Sequence, residues 1–79
     1  MKKRVKLKFP PHLVKEPILF TIAKRYDVMP NIRRARVTDS VGEMILELEG
    51  QEDNLARSIE TLKSQGIEVD YIEGDIFEA

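Results

Sequence analysis

From Arg4 to Phe9 polar and apolar residues alternate. Val5, Leu7 and Phe9 point one way, and Arg4, Lys6 and Lys8 point the other. A period of two marks a strand with one buried face, and Pro10-Pro11 ends it. The period then lengthens. Glu16-Pro17 opens a helix, with Pro17 suited to the first helical position. Ile18, Leu19, Ile22, Ala23 and Tyr26 fall within one stripe. Phe20 lies more than roughly 90° from the centre of that stripe at 100° per residue, so the core does not claim it. The helix should stop near Asp27, with Val28-Met29-Pro30 as a connector because Pro disfavours helix in the residue before it.

Alternation returns from Asn31 to Thr38. Ala35 and Val37 face the core, while Ile32, Arg34 and Arg36 face away. Asp39-Ser40-Val41-Gly42 reads as a turn. Met44 to Glu49 is a third strand, with Met44, Leu46 and Leu48 inward and Ile45, Glu47 and Glu49 outward. A four-residue turn pairs Thr38 with Glu43, Arg36 with Ile45 and Arg34 with Glu47, which keeps core residues opposite core residues. Gly50 breaks the strand. Glu52 to Gln65 is a second helix with Leu55, Ile59 and Leu62 as its stripe and acids in its first turn. Gly66 is its stop. Ile67 to Ile72 is a fourth strand, with Ile67, Val69 and Tyr71 inward and Glu68, Asp70 and Ile72 outward.

The order is βαββαβ. One apolar face per strand and one apolar stripe per helix require two helices on one face of an antiparallel sheet. The expected class is α+β, ferredoxin-like, with sheet order 4-1-3-2 and right-handed crossovers. Charge supports this order. Residues 1–36 carry eleven Lys or Arg against two acids, and residues 37–79 carry two against twelve. Placed in the order 4-1-3-2, the helix-free face reads acidic, basic, acidic, basic from strand to strand. Opposite charges on neighbouring strands stabilise a sheet by about 0.2–1 kcal/mol each.

Composition bounds the rest. The chain has 79 residues, 42% of them hydrophobic and 34% charged, which makes one domain and one core. The expected domain is 1–79, with a structured core over 3–72 and an acidic tail over 73–79. Cysteine is absent, which removes disulfides, thiolate zinc sites, bound iron–sulfur clusters and thiol catalysis. No apolar run approaches the length of a membrane span, and no signal peptide follows the basic start. A cytoplasmic binding domain without a cofactor or a resident metal is expected.

No enzyme chemistry stands out. His12 is the single histidine and has no partner of a catalytic kind. Glu47 and Glu49 are better explained by the lysines of strand one than by acid–base work. RNA modules of this topology stack bases on exposed aromatics of their central strands. Here those strands expose Arg4, Lys6, Lys8, Ile45, Glu47 and Glu49, so no nucleic acid is expected. The cluster Arg33-Arg34-Arg36 is read as surface charge that also protects a sheet edge. Phe20, Ile32, Ile45 and Ile72 are apolar groups beyond the core's need. Together they are a candidate interface, and twofold homodimers are the commonest assembly.

Several stretches resemble the NIL domain. They are Val5-Lys6-Leu7-Lys8-Phe9-Pro10, Glu16-Pro17-Ile18-Leu19, Tyr26-Asp27-Val28, Pro30-Asn31-Ile32, Ile45-Leu46-Glu47-Leu48-Glu49-Gly50 and Gly66-Ile67-Glu68-Val69. The resemblance runs from residue 4 to about 72. It implies an ACT-like, usually dimeric regulatory domain that senses a small molecule. In methionine-import ABC transporters such a domain ends the ATPase subunit, binds methionine and inhibits transport. A second branch is joined to a ferredoxin, and the basic start with Phe9-Pro10-Pro11 is closer to that branch. Asn31 and Ile32 match the family's Asn-Ile-Leu, whereas Arg33 departs from it. The implied ligand site is Met29, Pro30, Asn31, Ile32 and Arg33. Asn31 can both donate to and accept from an amino acid's charged groups. The departure at Arg33 leaves an anionic ligand open beside methionine. The alternative function is a ligand-free interaction module that docks to a ferredoxin or an ABC transporter.

Overall fold

The structure, a computed structural model, describes residues 1–72, so the expected acidic tail lies outside the described residues. In chain order it contains β1 (Lys2–Phe9), a 3₁₀ turn (Pro11–Leu13), α1 (Ile18–Tyr26), β2 (Met29–Val37), β3 (Gly42–Glu49), α2 (Glu52–Ser64) and β4 (Glu68–Tyr71). The four strands form one antiparallel sheet in the order β2-β3-β1-β4, the expected order read from its other edge. The two helices lie on one face of it. The fold is the ferredoxin-like α+β arrangement.

The core is built from the inward sets of β1 and β3 and the two helix stripes. Val5, Leu7, Leu46 and Leu48 of the sheet meet Ile22 of α1 and Leu55, Ile59 and Leu62 of α2, all buried. Ser58 is also fully buried, and its hydroxyl donates to the Leu55 carbonyl at 2.7 Å. Tyr26 and Thr61 share a hydrogen bond between their hydroxyls that ties α1 to α2. α1 ends on Asp27, which takes a left-handed conformation (φ 55°) tolerated by a short polar side chain. Gly66, at φ 89°, performs the same turn after α2 without a Cβ to strain.

The β2–β3 hairpin differs from its expected form in three ways. β2 begins at Met29, not Asn31, so Met29-Pro30 are strand and not connector. Pro30 lacks an N–H, but an edge strand tolerates that. The register is displaced by two residues: Arg36 faces Glu43 and Arg34 faces Ile45, which preserves each residue's side of the sheet. The tighter loop is closed by Thr38 N–H to the Val41 carbonyl at 2.7 Å, and the Thr38 hydroxyl accepts from the N–H of Val41 at 3.0 Å. Third, a bulge lies between Ile32 and Arg34. Beyond a bulge the alternation reverses. Ile32 therefore pairs with buried Leu46 and joins the helix face, not the open face.

The helices do not extend over β2. Ala35 and Val37 face the helix side as expected, yet both are exposed, and residues 31–37 are exposed throughout. β2 is thus an edge strand with one backbone side and most of both faces uncovered.

Candidate functional site

The open face of the sheet sets the electrostatics of any site on β2. One row across it runs Arg36, Glu43, Lys8, Glu68, and the next runs Arg34, Ile45, Lys6, Asp70. The expected alternation of sign is complete in the first row and interrupted in the second, where Ile45 stands between Arg34 and Lys6. Glu47 is its most engaged acid. It accepts from Arg4 at 3.0 Å and lies 3.7 Å from Arg33. Lys2 and Glu49 close a longer pair at 4.0 Å. The Arg4 hydrogen bond, then the charges of Arg4, Arg33 and Lys2, hold the Glu47 carboxyl below the usual carboxylate range, against a smaller opposing effect of burial.

That depression has a pH consequence. A carboxylate with a lower pKa in the folded state adds stability above its unfolded pKa, near 4.3 for Glu. The contribution is lost as pH falls through the folded value. Urea denaturation at stepped pH should show the wild type losing stability below about pH 5 more steeply than Glu47→Gln. Parallel pH profiles would remove Glu47 from this role.

The implied ligand stretch lies on the β2 edge, and its side chains divide between the faces. Met29 opposes Glu49 and Asn31 opposes Glu47, so both stand on the open face with Arg33, which reaches Glu47. Pro30 and Ile32 turn to the helix face. Met29 is 66% exposed and Ile32 is 51% exposed, so within one chain the stretch is a ridge and not a cleft. The candidate interface residues also separate. Ile45 and Ile72 are half-buried on the open face, while Phe20, 68% exposed, and Ile32 lie on the helix side.

Concavity appears at the other end of β2. An apolar cavity of about 180 Å³ is lined by Val14, Pro17, Leu19, Phe20, Val37 and Met44, among others. Cavities near 150 Å³ accept a benzene-sized group. Sequence reasoning did not find it, since it needs α1, the 3₁₀ turn and the hairpin together. Its one legible sign was Phe20, off its helix stripe and now on the cavity rim. Among the described residues no cluster of acids or His is placed to hold a metal ion. Among the described residues no helix is long and apolar enough to cross a membrane.

The family model of the NIL domain matches residues 3–71. The chain belongs to the NIL domain family. A curated relative, the methionine import ATP-binding protein MetN 1 of Bacillus cereus, is 32% identical over 59 residues. That alignment covers 70% of this chain and 17% of the relative, so this NIL domain corresponds to a small part of that protein. Among solved structures, the C-terminal domain of an ABC transporter ATP-binding protein from Enterococcus faecalis superimposes with a TM-score of 0.79 at 28% identity. The superposition covers 92% of this chain and 86% of that one. The NIL domain therefore resembles, over nearly its whole length, the C-terminal domain of an ABC transporter ATP-binding protein.

Proposed function

We propose that this NIL domain is a cytoplasmic regulatory module without enzymatic activity, which senses an amino acid such as methionine where Met29–Arg33 meet a second copy of the chain. The family match over residues 3–71 carries the reading. The name of one relative, a methionine import ATP-binding protein, supports the ligand class. The chemistry of the ridge is compatible. On the open face Arg33 and Asn31 offer donors to a carboxylate, and Met29 offers an adaptable apolar contact. The ridge character of the stretch explains why a second copy is part of the proposal: a single chain leaves a bound amino acid open to water.

Titration of the labelled domain with a panel of amino acids is the test. Saturable amide shifts at Met29–Arg33 with a rise in melting temperature are expected. A ligand present at 100 times its Kd adds about 2.7 kcal/mol of stability. If no amino acid produces either signal, the sensing reading falls.

A second reading is favoured by one observation: the edge of β2 is long, exposed and basic. It would make the domain a docking module for a transporter or ferredoxin partner, with no ligand of its own. A recovered partner whose binding is lost on Arg34→Glu, beside a silent amino-acid titration, distinguishes it from the first.

A further inference from the structure

β1 is longer than its partner on one side. β3 pairs with the whole of Lys2–Phe9, whereas β4 pairs only with Val5–Lys8. The Ile72 N–H donates to the Arg4 carbonyl at 3.0 Å, which carries the ladder one residue further. Among the described residues, Lys2 and Lys3 have no strand beside them on that side. A groove of about 520 Å³ lies there instead, lined by Met1, Lys2, Lys3, Arg4, Tyr71 and Ile72. Its charge is one-sided. Lys2 and Arg4 have Glu49 and Glu47 across the open face. Lys3 lies opposite Leu48 and so belongs to the helix side. Its ammonium stands 5.5 Å from the centre of the Tyr71 ring, and among the described residues no carboxylate pairs with it.

The chain itself carries the missing acids. After Ile72 it reads Glu73-Gly74-Asp75-Ile76-Phe77-Glu78-Ala79, with three acids and no base. Continued one for one, the β1–β4 register sets Glu73 opposite Lys3 and Gly74 opposite Lys2. Opposed charges across strands stabilise a sheet, whereas like charges destabilise it.

We propose that the groove beside Lys2–Arg4 is a docking site for this chain's own acidic segment 73–79, which adds to the free edge of β1 in continuation of β4. Connectivity favours this occupant. The segment follows Ile72 directly, so no loop has to be closed, and its tethering gives it a high effective concentration at the groove. The backbone groups of Lys2 then gain partners on their open side. The consequence is a guarded edge. An unpaired strand edge is a template for another chain, and a partner that adds a strand here must first displace an acidic segment from a basic groove. The contact uses neither β2 nor Met29–Arg33, so it stands apart from the sensing reading.

Amide exchange and proton contacts in the labelled 79-residue chain test it. In the stated register Lys3 and Glu73 form a non-hydrogen-bonded pair, about 4.5 Å apart between Cα atoms, which brings their Hα protons into contact. An Hα–Hα cross-peak between the two is expected. The Gly74 amide, donating to the Lys2 carbonyl, should exchange on the order of tenfold more slowly than in an unstructured peptide. Lys3→Glu sets like charges opposite each other and should speed that exchange by about threefold, and Lys3→Glu with Glu73→Lys should restore it. Salt near 1 M, with a Debye length of about 3 Å, should also speed it in the wild type. Absence of the cross-peak, with Gly74 exchanging at the peptide rate, would overturn the proposal. Protection unchanged in Lys3→Glu would remove the charge pairing that selects this occupant and overturn it too. Protection that falls on dilution would place the segment on another copy and overturn the docking within one chain. A silent amino-acid titration leaves each of these results unaffected, so the two readings fail separately.

Discussion

Leu7→Ala should lower the unfolding free energy by about 2–5 kcal/mol, the range for a buried leucine whose site cannot collapse. Leu7 has no solvent exposure and occupies the middle of β1, between Met44 of β3 and Val69 of β4. It is therefore held from both sides by strands and from above by the helices. None of these can move in without breaking the sheet ladder, so the lost side chain leaves a void. Domains of this length have a total stability of about 4–12 kcal/mol at roughly 0.05–0.15 kcal/mol per residue. The substitution removes a large share of it. For a domain of 60–100 residues each kcal/mol is worth about 4–8 °C in melting temperature. Chemical denaturation followed by circular dichroism measures the loss directly. Leu7→Met keeps the volume and should cost less than about 1.5 kcal/mol. A Leu7→Ala loss below about 1 kcal/mol, outside the range for such cavities, would show that the centre of the sheet repacks freely.

The sheet order was legible in the sequence for a physical reason. Alternation with a period of two assigns each strand a face, and the sign of the outward residues then assigns each strand its neighbours. Each of Arg4, Lys6 and Lys8 has an acid opposite it on β3 or β4: Glu47 for Arg4, Asp70 for Lys6, and both Glu43 and Glu68 for Lys8. The core followed from the same pattern: Val5, Leu7, Leu46, Leu48, Leu55 and Ile59 are buried where the periodicity puts them. What the sequence hid is confined to β2. Ile32-Arg33-Arg34 contains no glycine or proline to announce a bulge, so strict alternation carried Ile32 to the wrong face. Pro30 read as a breaker, because its tolerance on an edge depends on knowing which strand is the edge.

The site was less legible than the fold. Met29–Arg33 entered through resemblance to the NIL family and not through any local pattern. Their division between two faces follows from the same unannounced bulge. The cavity at the opposite end of β2 joins residues from separate elements, and only Phe20 pointed to it. The proposed site thus lies on the one strand that the helices leave bare. That is the strand whose geometry the local sequence determines least, since no buried neighbour fixes its register on the outer side.

Ser58→Asp should abolish the folded state at neutral pH. Ser58 is fully buried on α2, and its hydroxyl is satisfied within its own helix by the Leu55 carbonyl. Its position was readable after the fact: at 100° per residue it lies about 40° from Leu62 and about 60° from Leu55, inside the apolar stripe. Among the described residues the only buried polar or charged one is Ser58 itself, so a carboxylate there would have no buried cationic partner. The cost of an unpaired buried charge exceeds about 4 kcal/mol, comparable with the entire stability of a small domain. Ser58→Ala should stay within about 1 kcal/mol of the wild type. The Leu55 carbonyl keeps its helical bond, and alanine favours the helix. Ser58→Asn matches aspartate in shape without its charge and isolates the electrostatic part. The pH response also has a definite sign. Burial raises the pKa of the new carboxyl, so the variant should regain structure as pH falls and the group becomes neutral. The measurement is circular dichroism of the three variants at neutral pH and near pH 4, close to the ordinary carboxylate range. A folded Ser58→Asp at neutral pH would mean that α2 can turn this position to solvent, and that the two-helix layer is far less fixed than its packing against Leu46 and Leu7 implies.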